Sequence, residues 1–276
     1  MTDLSPLKFH DGHAIPRLGL GVWQVPEPEV TEIVKTAIGL GYRLIDGAKV
    51  YGNEEGMGKG IAQSGVARED LFITSKVWNA DQGYDAARRA IDGSLKRIGV
   101  DQLDLCLIHW PRPKHDLYVE TWKALLAAKA DGQILSAGVS NFKGPHIDRL
   151  VAETGEAPVL NQIELHPLFQ QDEMRAENDR HGIVTQSWSP LGRSMTFEAP
   201  QIVAIAERTG KTPAQVILRW HLQIGVSVIP RSSNAGRLAQ NFDLFDFELS
   251  AADMASLAEL ETGSRIAPDP DDYEDS

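Results

Sequence analysis

A chain of 276 residues that is 42% hydrophobic can bury a large core, and an α/β barrel fills this length range as one domain. The formal net charge of −12 argues against nucleic acid or an anionic membrane as a partner, because both attract clustered Lys and Arg. A single cysteine, Cys106, excludes an internal disulfide, the first residues carry no secretion signal, and no apolar run nears the ~20 residues of a membrane span, so a cytoplasmic protein is expected.

Taken in order, residues 7–18 place short apolar pieces around Asp11-Gly12, a hairpin pattern ahead of the main fold. A first strand follows over 17–23. Pro26 and Pro28 interrupt the chain, and 30–40 has helical spacing. Strand two is 43–46. Residues 53–63 read as a helix whose first turn holds Glu54 and Glu55, which suits the helix dipole. Strand three is 71–76, and 84–98 is helical with Ala87, Ala90, Ile91, Leu95 and Ile98 on one face. Strand four is 103–109, helix 118–130 stops at Asp131-Gly132, and strand five is 135–139. A helix over 145–152, strand six over 159–163, a helix over 171–181 closed by Gly182 and strand seven over 183–188 continue the alternation.

Thr212-Pro213-Ala214-Gln215 is a sharp helix start, with a capping Thr, Pro at the first helical position and Gln to close the capping box. Strand eight is 226–229, and two more helices follow over 235–241 and 251–260. The tail, about 266–276, is acidic and expected to be flexible. Strands alternating with helices indicate a parallel sheet, and eight repeats in this length indicate a closed (β/α)8 TIM barrel with an N-terminal β-hairpin and two extra helices. No low-complexity linker divides the chain, so one domain, 1–276, is expected. No unpaired amphipathic surface demands a partner, so a monomer is expected.

Four residues that can carry proton chemistry sit at or just past strand ends: Asp46, Tyr51, Lys76 and His109. Catalytic groups of a barrel come from such positions. Taken singly, each has an ordinary structural use: a turn cap, a packing aromatic, a rim charge, a core histidine. Together they form a proton donor for carbonyl reduction. A phenol with a pKa of about 10 is a reluctant acid. An ammonium about 4 Å away stabilises the phenolate by roughly 4 kcal/mol at an effective dielectric near 20, which lowers that pKa by up to about three units before desolvation is subtracted. Asp46 would keep Lys76 charged, and His109 would orient the carbonyl or share the proton.

The stretch Asp46-Gly47-Ala48-x-x-Tyr51-Gly52-Asn53-Glu54 resembles the signature of the aldo-keto reductase family, as do Ile73-Thr74-Ser75-Lys76 and Leu107-Ile108-His109-Trp110-Pro111. Gly138-Val139-Ser140-Asn141-Phe142, Asn161-Gln162 and Ile229-Pro230-x-Ser232 extend the likeness from about residue 7 to 265. Within the family, Asn161-Gln162-Ile163-Glu164-Leu165-His166-Pro167 and Ser187-Trp188-Ser189-Pro190-Leu191-Gly192 are similar to the prokaryotic 2,5-diketo-D-gluconate reductases. One departure stands in the signature: Gly47 replaces the usual Thr.

The resemblance implies an NADPH-dependent oxidoreductase that reduces a ketone or aldehyde, such as a keto-sugar acid or a small α-dicarbonyl, with Tyr51 as general acid. It implies that Ser140, Asn141 and Gln162 hold the nicotinamide carboxamide. Trp188 would stack on the ring, and Ser189, Leu191 and Gly192 would carry a loop over the pyrophosphate. Arg231, Ser232 and Arg237, around a helix start after strand eight, look like a 2′-phosphate pocket, since guanidinium groups bind phosphate in bidentate fashion. Gln240 and Asn241 stand at the adenine contact. Trp23, Trp78 and Trp110, each after a strand, would wall the substrate cleft.

No Gly-x-Gly-x-x-Gly occurs, no His/Cys cluster has metal-ligand spacing, and Gly56-Met57-Gly58-Lys59-Gly60 lacks the spacing of a P-loop. Two rival readings remain: a cofactor-binding redox sensor with little turnover, and a barrel lyase or isomerase without nicotinamide. The complete Asp/Tyr/Lys/His set argues against the first.

Overall fold

The computed structural model describes residues 5–274. A hairpin of β1 (Leu7–Lys8) and β2 (Ala14–Ile15) precedes eight parallel strands: β3 (Gly19–Gly21), β4 (Leu44–Asp46), β5 (Phe72–Val77), β6 (Leu103–Ile108), β7 (Ile134–Ser140), β8 (Leu160–Glu164), β9 (Val184–Trp188) and β10 (Ser227–Val228). They hydrogen-bond in sequence order, and bridges from Leu18 to Val228 and from Gly21 to Arg231 bring the last strand back to the first. The sheet is thereby a barrel.

Helices α1 (Glu27–Leu40), α2 (Glu54–Ala62), α3 (Tyr84–Ile98), α4 (Tyr118–Ala130), α5 (Gly144–Thr154) and α6 (Asp172–Arg180) cover its outside. They are followed by α7 (Pro200–Thr209), α8 (Pro213–Gln223), α9 (Ala235–Phe242) and α10 (Ala251–Ala258). The capping box at the start of α8 forms as the sequence predicts, with Thr212 Oγ1 accepting from Gln215 N and Gln215 Oε1 accepting from Thr212 N.

Helix α7 has no counterpart among the predicted elements. It carries its own boundary signals, Pro200 in the first turn and Gly210 at the left-handed C-cap. The two helices expected to be extra also divide differently. Helix α9 packs against α1 and completes the outer ring, whereas α7 and α10 pack on each other through a core containing Ile202, Ile205 and Leu257.

Strand alternation decides what faces the barrel interior. Leu44, Phe72, Leu105, Leu107 and Leu160 form an inner apolar cluster with Phe9 and Ile15 of the hairpin. Their neighbours Ile45, Ile73, Cys106 and Ile108 belong to the outer cluster under the helices. Two residues further along, in the same inward register, stand Asp46 after Leu44, His109 after Leu107 and Gln162 after Leu160; Lys76 lies four residues after Phe72. The interior is therefore apolar towards the hairpin and polar at the C-terminal ends of the strands.

The tail, expected from its acidic composition to be flexible, makes specific contacts in the structure. Its described part, 266–274, is docked across the polar end. Ile266 and Ala267 donate their backbone N–H groups to Glu164, Lys143 pairs with Asp269 and Asp271, and Tyr273 lies on Trp110 with ring centroids 4.1 Å apart.

Candidate active site

Asp46 ends β4, Lys76 lies near the end of β5 and His109 follows β6 directly. Tyr51 rides on a single 3-10 turn, Lys49–Tyr51, placed beside them by the residues just behind it. The buried Asn53 amide donates to Val22 O and Val25 O at 2.8 and 2.9 Å, tying this turn to the loop after β3. Glu54 does more than complement a helix dipole. It is buried and accepts from Ser75 Oγ at 2.6 Å and Arg97 Nε at 2.7 Å, which locks α2 to β5 and α3.

At the centre, Lys76 Nζ donates to Asp46 Oδ1 at 2.5 Å, to Gly47 O at 2.9 Å and to Tyr51 Oη at 3.3 Å. These three acceptors use all three ammonium hydrogens. Burial, the largest influence on Lys76, opposes its charge, but the Asp46 carboxylate and the phenol oxygen outweigh it and hold the lysine pKa above its ordinary value. Because Tyr51 Oη accepts from Lys76, the phenol's own hydrogen is left to donate elsewhere.

The sequence leads to an acidified tyrosine, and here the structure differs. Burial raises the Tyr51 pKa above its usual value, Asp46 adds to that, and the pull of Lys76 does not overcome them. The ammonium limits the rise rather than reversing it. His109 moves the other way: burial, with Lys76 nearby, pushes its pKa well below the ordinary histidine value, so it is a neutral imidazole near pH 7. It meets the edges of Tyr51 and Trp78, and its Nδ1 is buried without a hydrogen-bond partner among the described residues.

Gln162 extends the network. Its amide nitrogen donates to Asp46 Oδ2 at 2.8 Å and to Gln186 Oε1 at 2.7 Å; Gln186 donates to Ser227 Oγ, which donates to Pro16 O. Asn141, held at a positive φ of 63°, donates to His109 O and Ser140 Oγ and accepts from Trp188 Nε1 at 2.9 Å. The amide hydrogens of both side chains are thus spent on the protein. Gln162 Oε1 and the second lone pair of Asn141 Oδ1 are the polar capacity left for a ligand.

These groups open into one cleft of about 490 Å³. Trp23, Trp78, Trp110, Trp188, Ser189 and Arg231 line it, and Val50, Arg193, Ile229, Ile266, Ala267, Pro268 and Tyr273 complete the wall. Of the last set, only Ile229 lies in a motif that the sequence already offered. Tyr273, the one aromatic in an acidic tail, was the available signal; the others depend on long-range packing. Leu191 does not line the cleft but packs half-buried against the hydrophobic core, and Gly192 is buried against His166.

The residues expected at an adenosine phosphate are scattered in their engagements. Arg231 is held by Gln24 through its side-chain and backbone oxygens at 3.2 and 3.0 Å. Ser232 closes a turn with Asn234. Arg237 is exposed in the first turn of α9, and its guanidinium has no partner among the described residues. Gln240 is exposed on the same helix and Asn241 is buried. The Trp188 indole is fixed beside the unspent amide oxygens by its bond to Asn141, while the Arg237 guanidinium lies outside the lining of this cleft.

Comparison with known proteins gives one answer. The aldo/keto reductase family profile matches residues 17–262. An aldo-keto reductase of Mycolicibacterium smegmatis is 52% identical over 268 residues, covering 97% of this chain and 98% of that protein. Methylglyoxal reductase DkgA of Escherichia coli K12 is 46% identical over 275 residues, covering 99% of each. The crystal structure of a Gox0644 mutant in complex with NADPH superposes with a TM-score of 0.95 at 46% identity, covering 99% of both chains.

Gly47, the departure in the signature, has a steric cause. A Cβ there would lie 2.8 Å from Met57 Sδ and 3.2 Å from its Cε. The fully buried Met57 thus occupies the space that a threonine needs. Gly47→Thr should therefore cost about 1–3 kcal/mol of stability through overpacking. In a Met57→Ala background the added cost of Gly47→Thr should largely disappear, a coupling measured by a double-mutant cycle in urea denaturation.

Proposed function

The chain belongs to the aldo/keto reductase family and is an oxidoreductase, and from that premise we propose that it reduces a small carbonyl compound with NADPH, using Tyr51 as the proton donor. The observation that carries this reading is the hydrogen-bond order at the centre: Lys76 donates to Tyr51 Oη, so the phenol hydrogen points its reactivity into the cleft. When bound, the dinucleotide supplies the hydride. The protein's share is to hold the carbonyl and deliver the proton.

A carbonyl oxygen placed against Tyr51 receives the phenol hydrogen as negative charge grows on it. The Lys76 ammonium, itself fixed by Asp46, stabilises the phenolate left behind. Neutral His109 supports this role by orientation, as a hydrogen-bond donor to the carbonyl rather than as a charge. Asp46 acts through Lys76 and makes no direct claim on the substrate.

Two features favour a small α-dicarbonyl over a keto-sugar acid. Indole and aliphatic side chains dominate the cleft wall. A substrate carboxylate would find only Arg193 uncommitted among the lining cations, since Arg231 is held by Gln24. The methylglyoxal named for the Escherichia coli relative is a compound of the favoured kind. For the cofactor, Arg237 supplies the free guanidinium that distinguishes a 2′-phosphate from a hydroxyl.

Tyr51→Phe should lower kcat for dicarbonyl reduction by about 10²–10⁴-fold, the range of general acid catalysis, while leaving NADPH affinity unchanged by fluorescence titration. Wild-type rates from this variant would remove Tyr51 from the role.

The pH profile follows from the shifted groups. The acid must be protonated, and its pKa is raised, so kcat/KM should fall only as pH rises above the ordinary tyrosine range. His109, already neutral, should add no inflection near its usual value of about 6.5. A steady-state profile with an inflection there would contradict the assignment of a neutral imidazole.

Arg237→Ala should weaken NADPH far more than NADH, read as separate dissociation constants. Equal losses for both would overturn the 2′-phosphate assignment.

A further inference from the structure

The end of β8 holds a second buried hydrogen-bonded pair, outside the proton-donating set. Glu164 and His166 are 2% and 0% exposed, and His166 Nε2 lies 2.9 Å from Glu164 Oε1. A carboxylate only accepts, so Nε2 is the donor. The same Oε1 accepts Ile266 N at 2.5 Å, and Oε2 accepts Ala267 N at 3.0 Å. Both oxygens of one buried carboxylate are thus devoted to the first residues of the tail, and those residues line the cleft beside Tyr51 and His109.

The other edge of the imidazole meets the loop after β9. A Cβ on Gly192 would lie 3.3 Å from His166 Cγ and 3.4 Å from its Nδ1, and Gly192 has a left-handed φ of 53°. This loop continues from Trp188 and Ser189, which also line the cleft, and Trp188 is the cross-strand neighbour of Glu164. One buried pair therefore touches the tail that walls the substrate space and the loop beside the nucleotide face.

Resting on the reductase reading above, we propose that Glu164 and His166 are positioning residues for the substrate: they clamp residues 266–267 as a fixed wall of the cleft, in register with the loop after β9. The clamp does not touch the reacting atoms. Its loss frees the wall, so the carbonyl loses a surface to bind against while the Lys76–Tyr51 geometry stays in place. The charged contacts further along the tail lie at partly exposed groups such as Asp269 and Asp271 and hold it less firmly than this buried carboxylate.

The chain carries its own reporter of the clamp. Arg265 immediately precedes Ile266; its side chain is 30% exposed, lies over the Phe169 ring and stands 3.5 Å from Asp269, so trypsin reaches it once this segment opens. The bond after it is protected because the Ile266 N–H is donated inward to Glu164. Glu164→Gln keeps the shape but offers an NH2 group where a tail N–H needs an acceptor. It should speed cleavage after Arg265 by about tenfold or more, as expected when a charge-assisted hydrogen bond is lost and cleavage follows the open population. The product, ending at Arg265, is identified by intact mass. The same variant should raise KM for methylglyoxal severalfold with little change in kcat or NADPH affinity. Tyr273→Ala, which loosens only the far end of the tail, should leave the bond after Arg265 protected. Wild-type cleavage and KM in Glu164→Gln would overturn the proposal. So would cleavage spread across the whole chain, which marks a general stability role, or faster cleavage with an unchanged KM. Cleavage is read without substrate, so a wild-type protein that reduces no carbonyl refutes the reductase reading separately.

Discussion

A lysine ammonium buried inside a barrel is the constraint on which this structure turns. Stripping water from Lys76 favours the uncharged amine, and a carboxylate at contact distance, helped by the Tyr51 oxygen, reverses that preference. Asp46 must therefore be at the end of the neighbouring strand, in the same inward register, and its second oxygen must also be satisfied. Gln162 satisfies it, and the chain of contacts continues through Gln186 and Ser227 to Pro16. A single ion pair thus ties strands from opposite sides of the barrel into one polar layer. Removing one partner of such a pair costs about 3–5 kcal/mol, since the other charge is left buried alone.

Much of this was legible because strand and helix periods are local. The apolar stripe of 84–98 and the strand ending at Asp46 predict their elements to within a residue or two. Strand eight shrinks to two residues since Pro230 has no N–H, and only its carbonyl continues the pairing, to Gly21 N. Helix α7 was missed even though Pro200 and Gly210 mark its ends, because an eightfold strand–helix repeat leaves no place for a second helix between β9 and α8.

The site residues were legible as residue types at strand ends, but their energetics were not. Distance from Lys76 to Tyr51 suggests an acidified phenol; burial, which sequence spacing does not reveal, reverses the net shift. The contacts of the tail were hidden for a related reason. Its acidic composition reads as solvated chain, yet Lys143 and the buried Glu164 reach it from residues more than a hundred positions away. Long-range partners decide whether a charged segment is free or fastened.

The distribution of tryptophan has a practical corollary. Of six indoles, Trp122 and Trp220 are sealed in the core, while Trp23, Trp78, Trp110 and Trp188 border the cleft. Emission from the sealed pair reports whether the molecule is intact, and emission from the bordering four reports whether the cavity is filled. The enzyme is in this sense its own optical gauge, and its occupancy can be followed with no dye attached.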